Sequence, residues 1–168
     1  YDLLVVPALY AAPEALLQKI NDYVAAGGHL FTTFKTGFTD ENLKVFHDSQ
    51  PHILDRCLGI SYSHFTFPKQ VKLSGETYHC EDNELKNFME LVNPEGAQVL
   101  ASYDHYNWKR YAAVTRNAYG KGTATYLGCW TGDAMLREIL TDVLKDAGLW
   151  GMEQQVEFPV IIKKGTND

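Results

Sequence analysis

Residues 112–128 read Ala-Ala-Val-Thr-Arg-Asn-Ala-Tyr-Gly-Lys-Gly-Thr-Ala-Thr-Tyr-Leu-Gly. Residues suited to a pleated, half-buried surface stand on both sides of a Gly-Lys-Gly step, so Ala112–Arg116 and Thr123–Leu127 are predicted to form an antiparallel hairpin. The same step excludes a phosphate loop. That motif needs Gly, four residues and then Gly-Lys-Ser/Thr opening a helix, whereas here a glycine separates Lys121 from Thr123 and strand-like residues flank the turn.

The start of the chain has another pattern. Leu3–Val6 is a short, continuously apolar run, as expected of a strand buried on both faces. Pro13 suits the first turn of a helix, and Leu16, Leu17, Ile20, Tyr23 and Val24 follow at helical spacing. Gly27-Gly28 stops that helix. His29–Phe34 then reads as the next strand, making Leu3–Phe34 a βαβ unit. Lys35–Pro51 is polar and irregular, a loop long enough to suggest function. A short helix is expected over His52–Leu58, ended by Gly59, with strand-like pieces around Ile60 and Val71. Leu85, Phe88, Met89 and Val92 predict a helix over Glu81–Val92, and Gln98–Tyr103 reads as a strand. Met135, Leu136, Ile139, Leu140, Val143, Leu144 and Ala147 predict a helix over Asp133–Ala147 with a broad apolar face, capped by Gly148. Val156–Ile162 is strand-like, but Pro159 restricts it to an edge strand or a linker.

The 168 residues fit one domain, and 45% hydrophobic content supplies a core without disulfide staples. A net charge of -6 and the lack of any basic run argue against a nucleic-acid partner. The apolar runs are too short to span a bilayer as a helix. Cys57, Cys80 and Cys129 lack CxxC spacing and read as reduced, mostly buried thiols. The chain opens at Tyr1 without a methionine and runs straight into apolar sequence, as expected of a piece cut from something longer.

Candidate chemistry is sparse. Among the thiols, Cys129, directly after a strand and Gly128, is best placed for a nucleophile, but a buried thiol behaves as a small hydrophobe. The histidines at 29, 47, 52, 64, 79 and 105 lack metal-ligand spacing, so no metal or cofactor is expected. Asp40-Glu41 and Asn83-Glu84 lie in polar surroundings that leave carboxylates solvated, unlike a glycosidase general acid. Tyr103, Tyr106, Trp108 and Tyr111 form an aromatic cluster that suits a core, a sugar contact or an interface.

Four blocks carry a family resemblance. They are Tyr1–Tyr10 as an opening strand, Tyr23-Val24-Ala25-Ala26-Gly27-Gly28-His29-Leu30 as a helix-to-strand junction, Thr36-Gly37-Phe38-Thr39-Asp40-Glu41-Asn42 as an Asp-Glu-Asn loop, and Ala112–Gly128 as a closing hairpin. In this order they resemble the middle, trimerisation domain of glycoside hydrolase family 42 β-galactosidases, over about residues 1–149. Ser61–Gly75 and Asn107–Arg110 depart from the family pattern.

The resemblance implies an α/β fold: a flavodoxin-like, class I glutamine-amidotransferase-like three-layer sandwich with a mostly parallel sheet and an antiparallel hairpin near the C-terminus. It implies residues 1–150 as the trimerisation domain and 151–168 as a linker or the start of a truncated C-terminal β-domain. Catalysis would rest with two glutamates on an N-terminal (β/α)8 barrel outside this chain, so the chain itself is expected to be inactive. The implied partners are that barrel, the C-terminal β-domain and two further copies in a homotrimer, with a β-galactoside met only indirectly. A cytoplasmic parent is the default expectation. Asp40, Glu41, Asn42, Tyr106, Trp108 and Arg116 are the expected cleft-rim or interface residues. Two other readings stay open, an autonomous amidotransferase-like cysteine enzyme and a carbohydrate-binding module.

Overall fold

The computed structural model describes residues 1–155. Its strands are β1 (Leu3–Val6), β2 (His29–Thr33), β3 (Ile60–Ser61), β4 (Phe65–Thr66), β5 (Lys72–Ser74), β6 (Met89–Glu90), β7 (Asn93–Pro94), β8 (Gln98–Asp104), β9 (Ala112–Tyr119) and β10 (Gly122–Leu127). The principal helices are α1 (Glu14–Ala25), α2 (Asp55–Leu58, preceded by a 3-10 turn) and α3 (Asp133–Asp146). One six-stranded sheet has the order β1-β2-β10-β9-β8-β5. Two small ladders, β3 with β7 and β4 with β6, lie outside it.

The βαβ unit and the hairpin meet in this sheet. β2 pairs in parallel with β1 on one side and with β10 on the other, and β10 pairs antiparallel with β9. The hairpin thus inserts its second strand beside the βαβ unit. The sheet is mixed rather than mostly parallel, because β9–β10, β8–β9 and β5–β8 are all antiparallel. β1 is an edge strand, and Val5 is half-exposed. The expectation of burial on both faces fails because edge position follows from strand order, which an apolar run of four residues does not encode.

Two cores lie on opposite faces of the sheet. Leu17, Ile20 and Val24 of α1 pack with Cys57 and Leu58 of α2 against Leu30, Ala124 and Tyr126. Met135, Ile139 and Val143 of α3 pack against Phe31, Val114 and Leu127. Leu30 and Phe31 are neighbours on β2 yet serve different cores, as period-two alternation requires. Full burial of each of these aliphatic side chains contributes about 1.5–3 kcal/mol.

Glu81–Val92 is not a helix. Its backbone bonds run outward instead: Leu85 N–H donates to Val71, Lys86 N–H to Trp130 and Glu90 N–H to Gly128. Leu85 and Met89 enter the α3 core while Val92 enters the α1 core. One helix stripe cannot face both sides of a sheet, so the spacing there was a coincidence of a crossing segment. The Val156–Ile162 run lies outside the described residues.

The Gly-Lys-Gly turn is a close contact with α1. Lys121 N–H donates to the Ala25 carbonyl at 3.0 Å. Gly120 has φ +61°, and a Cβ there would meet the Ala25 backbone at 2.5–2.6 Å. The turn therefore needs glycine for both conformation and space.

Candidate docking face

Because β1, β2 and β10 run parallel, their C-terminal ends share one pole of the sheet. Tyr10 follows β1, Phe34 and Phe38 follow β2, and Trp130 follows β10. The β4–β6 ladder adds Phe65, and Phe88 immediately precedes β6. These rings form one continuous ribbon. Centroids are 5.3 Å apart for Tyr10–Phe38, 6.4 Å for Phe38–Phe65 and 5.3 Å for Phe65–Phe88. They are 5.1 Å apart for Phe88–Phe34 and 6.0 Å for Phe34–Trp130. The ribbon is not a core. Tyr10 is 43% exposed, Phe65 45% and Trp130 48%. A contiguous aromatic surface of this kind marks a place of contact.

Lys35 sits in the middle of the ribbon. Its Nζ lies 3.4 Å from the Phe65 ring centroid, 3.8 Å from that of Phe38 and 5.2 Å from that of Phe88. Ring quadrupoles favour the cation there, while partial burial lowers the ammonium pKa against the opposing pull of Glu90. The Lys35 backbone has φ +63°, uncommon for a side chain of this type. That conformation is held by Glu90, whose Oε1 accepts the Lys35 N–H at 2.9 Å.

Glu90 is fully buried. Its Oε2 accepts the Tyr126 hydroxyl at 2.6 Å, and its carbonyl accepts the Tyr103 hydroxyl at 2.7 Å. Burial pushes its carboxyl up to about 7, against the lowering effect of the Tyr126 and Lys35 donors. Both oxygens are occupied by the protein's own donors, so Glu90 fixes the pole rather than offering a free acid. Burial of the Tyr126 hydroxyl itself, and next the neighbouring Glu90 carboxyl, raise the Tyr126 pKa, which discourages a second charge.

The expected rim residues divide. Asp40 closes a turn, its Oδ1 accepting the N–H groups of Asn42 and Lys44 at 2.8 and 2.9 Å. Glu41 and Asn42 are exposed at the tip of that turn. Tyr106 is 80% exposed, and Trp108 stacks on His105 at 4.0 Å. β8 runs in the same direction as β10, so this aromatic segment is at the ribbon's pole, displaced by two strands. Arg116 does not belong with them. It donates to Asp142 at 2.8 Å and to Thr125 Oγ1 at 3.1 Å, and lies 3.4 Å from Asp146, which ties β9 to α3 beneath the surface. Its position on β9 directs it to the α3 face, which a single-residue reading of the hairpin did not register.

The thiols offer no nucleophile at this pole. Cys57 and Cys129 are buried, and burial pushes the Cys57 thiol up to about 12 and that of Cys129 higher still. Cys80 points to the Asp82 carbonyl at 3.5 Å.

Sequence reasoning overlooked the ribbon, Lys35 and Glu90. Phe88 was placed on a helix, and Phe34, Phe38, Phe65 and Trp130 are scattered over about a hundred positions. The one available signal was the excess of aromatics just past predicted strand ends.

The geometry has known counterparts. Residues 1–150 match the family model described as the β-galactosidase trimerisation domain. Along all of this chain, the sequence is 32% identical to β-galactosidase LacA of Lactobacillus acidophilus, of which it covers 25%. It is 30% identical to β-galactosidase BgaH of Haloferax lucentense, over 95% of this chain and 24% of that protein. The crystal structure of a β-galactosidase from Rahnella sp. R3 superposes with a TM-score of 0.80 at 27% identity, covering 89% of this chain and 23% of that one. The chain thus spans about a quarter of the length of the curated relatives it matches. With a family match that runs through both strands of the hairpin, both sheet faces and the aromatic pole, this chain belongs to the β-galactosidase trimerisation domains of glycoside hydrolase family 42.

Proposed function

We propose that this chain is the non-catalytic assembly domain of a β-galactosidase, and that it holds subunits together in a trimer and borders the sugar cleft. The observation that carries the reading is the trimerisation-domain match over residues 1–150, in a chain a quarter the length of β-galactosidases. The glutamates that cleave the glycosidic bond would lie on a (β/α)8 barrel elsewhere in the parent, with the β-galactoside reaching this domain only at the cleft margin. Asp40, Glu41, Asn42, Tyr106 and Trp108 are the proposed rim. Their placement past strand ends at one pole of an α/β sheet supports this, since ligands and partners meet such sheets there. Residues 151–168 are proposed as a linker or the beginning of the parent's next domain. The parallel β1-β2-β10 core with helices on both faces supports a finer kinship to flavodoxin-like, amidotransferase-like domains.

The test compares the full-length parent with a version lacking residues 1–150, by sedimentation and by turnover of a chromogenic galactoside. Loss of the oligomer is expected. Intact trimers with unchanged turnover would overturn the reading. So would galactoside hydrolysis by the purified 168-residue chain.

A further inference from the structure

Polar groups from five segments meet at one buried point beneath the aromatic ribbon. Glu90 of β6 faces Tyr126 of β10, Tyr103 of β8, Tyr62 just after β3 and the Lys35 backbone after β2. Glu90 and the three tyrosines are each at most 1% exposed. Two of the hydroxyls are spoken for, since Tyr126 donates to Glu90 Oε2 and Tyr103 to the Glu90 carbonyl. The Tyr62 hydroxyl is not. Tyr62 packs with Tyr126 in the same core and faces Glu90, yet its hydroxyl has no hydrogen-bond partner among the described residues. A buried orphan of this kind costs free energy and calls for a reason.

The proton count supplies one. An ionised carboxylate only accepts, and the bonds from the Tyr126 hydroxyl and the Lys35 N–H suit that state. A neutral carboxyl must donate from one of its oxygens. The Lys35 N–H holds Oε1, so the added proton goes to Oε2. Tyr126 then has to accept there, and its own hydrogen turns to a new acceptor. The unoccupied Tyr62 oxygen lies beside it. Burial raises the Glu90 carboxyl to about 7, which brings both states within reach near neutrality.

The proton also changes the charge of the pole. Among the described residues no carboxylate forms an ion pair with Lys35. Glu90 acts on the ammonium through space, each favouring the charged form of the other. The other ionisable groups around the carboxyl stay neutral, because burial raises the Tyr62, Tyr103 and Tyr126 hydroxyls and the Cys129 thiol. The Tyr10 hydroxyl faces Tyr62 from the ribbon. Carboxylate and ammonium therefore cancel in one state, and in the other the rings surround an uncompensated cation. We infer that Glu90, Tyr126 and Tyr62 form a buried hydrogen-bond chain that reverses when the carboxyl takes up a proton, and that this proton switches the aromatic pole from neutral to singly positive. The device belongs to the fold and goes beyond the assembly reading, on which it does not depend.

The experiment labels the full-length parent with trace acetic anhydride from about pH 5 to about pH 9. Mass spectrometry reads the acetylation of Lys35 relative to Lys121, which is exposed at the other pole. The ratio is expected to be about 5-fold higher on the acid side, where no carboxylate holds the Lys35 proton, and to fall as Glu90 ionises. Glu90→Gln is expected to keep the acid-side ratio at every pH. Tyr62→Phe removes the acceptor that the neutral state uses, so the fall is expected to move down by about one pH unit. The same change in a Tyr126→Phe background, where the chain is already cut, is expected to move nothing. Far-UV circular dichroism and Tm show that each variant is folded, and the wild type with Glu90→Gln tests the switch without any tyrosine change. A flat wild-type ratio would overturn the charge switch. A fall that persists in Glu90→Gln would assign the proton to another group and overturn it as well. A Tyr62→Phe midpoint that stays or rises would overturn the reversing chain, by showing that this hydroxyl does not serve the neutral carboxyl. None of these readings depends on the oligomeric state, so a failure here leaves the assembly reading standing.

Discussion

The two poles of the sheet are built from opposite materials. Where β2 and β10 begin, Gly120 and Gly122 let backbone lie on backbone, Gly28 leaves room for the Tyr23 ring, and the Gly-Lys-Gly turn sits directly against the end of α1. Where those strands end, aromatic rings extend outward around a lysine, over a buried glutamate. The first pole is tightly closed at Gly28, Gly120 and Gly122, where an added Cβ would meet other atoms at less than 3 Å. The second leaves apolar surface and a charge without an equal partner. Stability should thus be sensitive at the glycine pole, and association at the aromatic pole.

The largest expected effect breaks the glycine pole. Gly122→Val places a side chain against the carbonyls of Gly28 and Val24 and should cost about 4 kcal/mol, read from the urea midpoint. A cost below about 1 kcal/mol would mean the pole is not tightly closed.

The next concerns the charge beneath the aromatic pole. The Glu90 carboxyl titrates higher in the folded protein, at about 7, than the ordinary value of 4.5. The folded state thus binds more protons between these limits, so stability contributed at low pH is lost as pH rises from about 4.5 through about 7. The loss amounts to roughly 3 kcal/mol at 1.36 kcal/mol per pH unit. Glu90→Gln should flatten this part of a urea-midpoint profile against pH. An unchanged slope in the variant would show that another group is responsible.

Arg116→Met should cost about 1–2 kcal/mol by releasing α3 from β9, with no change in association. A change in association without loss of stability would return Arg116 to the interface. The smallest effect on stability is expected for Trp130→Ser, within about 1 kcal/mol in thermal melts, because its ring is half-exposed. A larger loss would make the ribbon part of the fold rather than a docking face.

The elements legible in the sequence were those whose signal is local. α1 and α3 carry apolar spacing over three or more turns, and both appear where predicted within a residue or two. The hairpin was marked by its glycine turn, and observed pairing extends it to Tyr119 and Gly122. Glu81–Val92 was misread because four apolar residues matched a helical spacing while Leu85 and Met89 face one core, Val92 the other and Phe88 the aromatic ribbon. The turn at Asp40 was legible as a loop, but Lys35 was hidden at its start, because only the folded chain brings Phe65 and Phe88 to it.

Local periodicity and glycine chemistry determined from sequence alone that the chain would hold a βαβ start, a hairpin and a last amphipathic helix, because those signals act between residues a few positions apart. Strand order, the edge position of β1, the burial of Glu90 and the joining of six rings into one surface were decided only in the tertiary structure. Each depends on contacts between segments tens of residues apart, and neither spacing nor composition carries the sum of those distant packing energies.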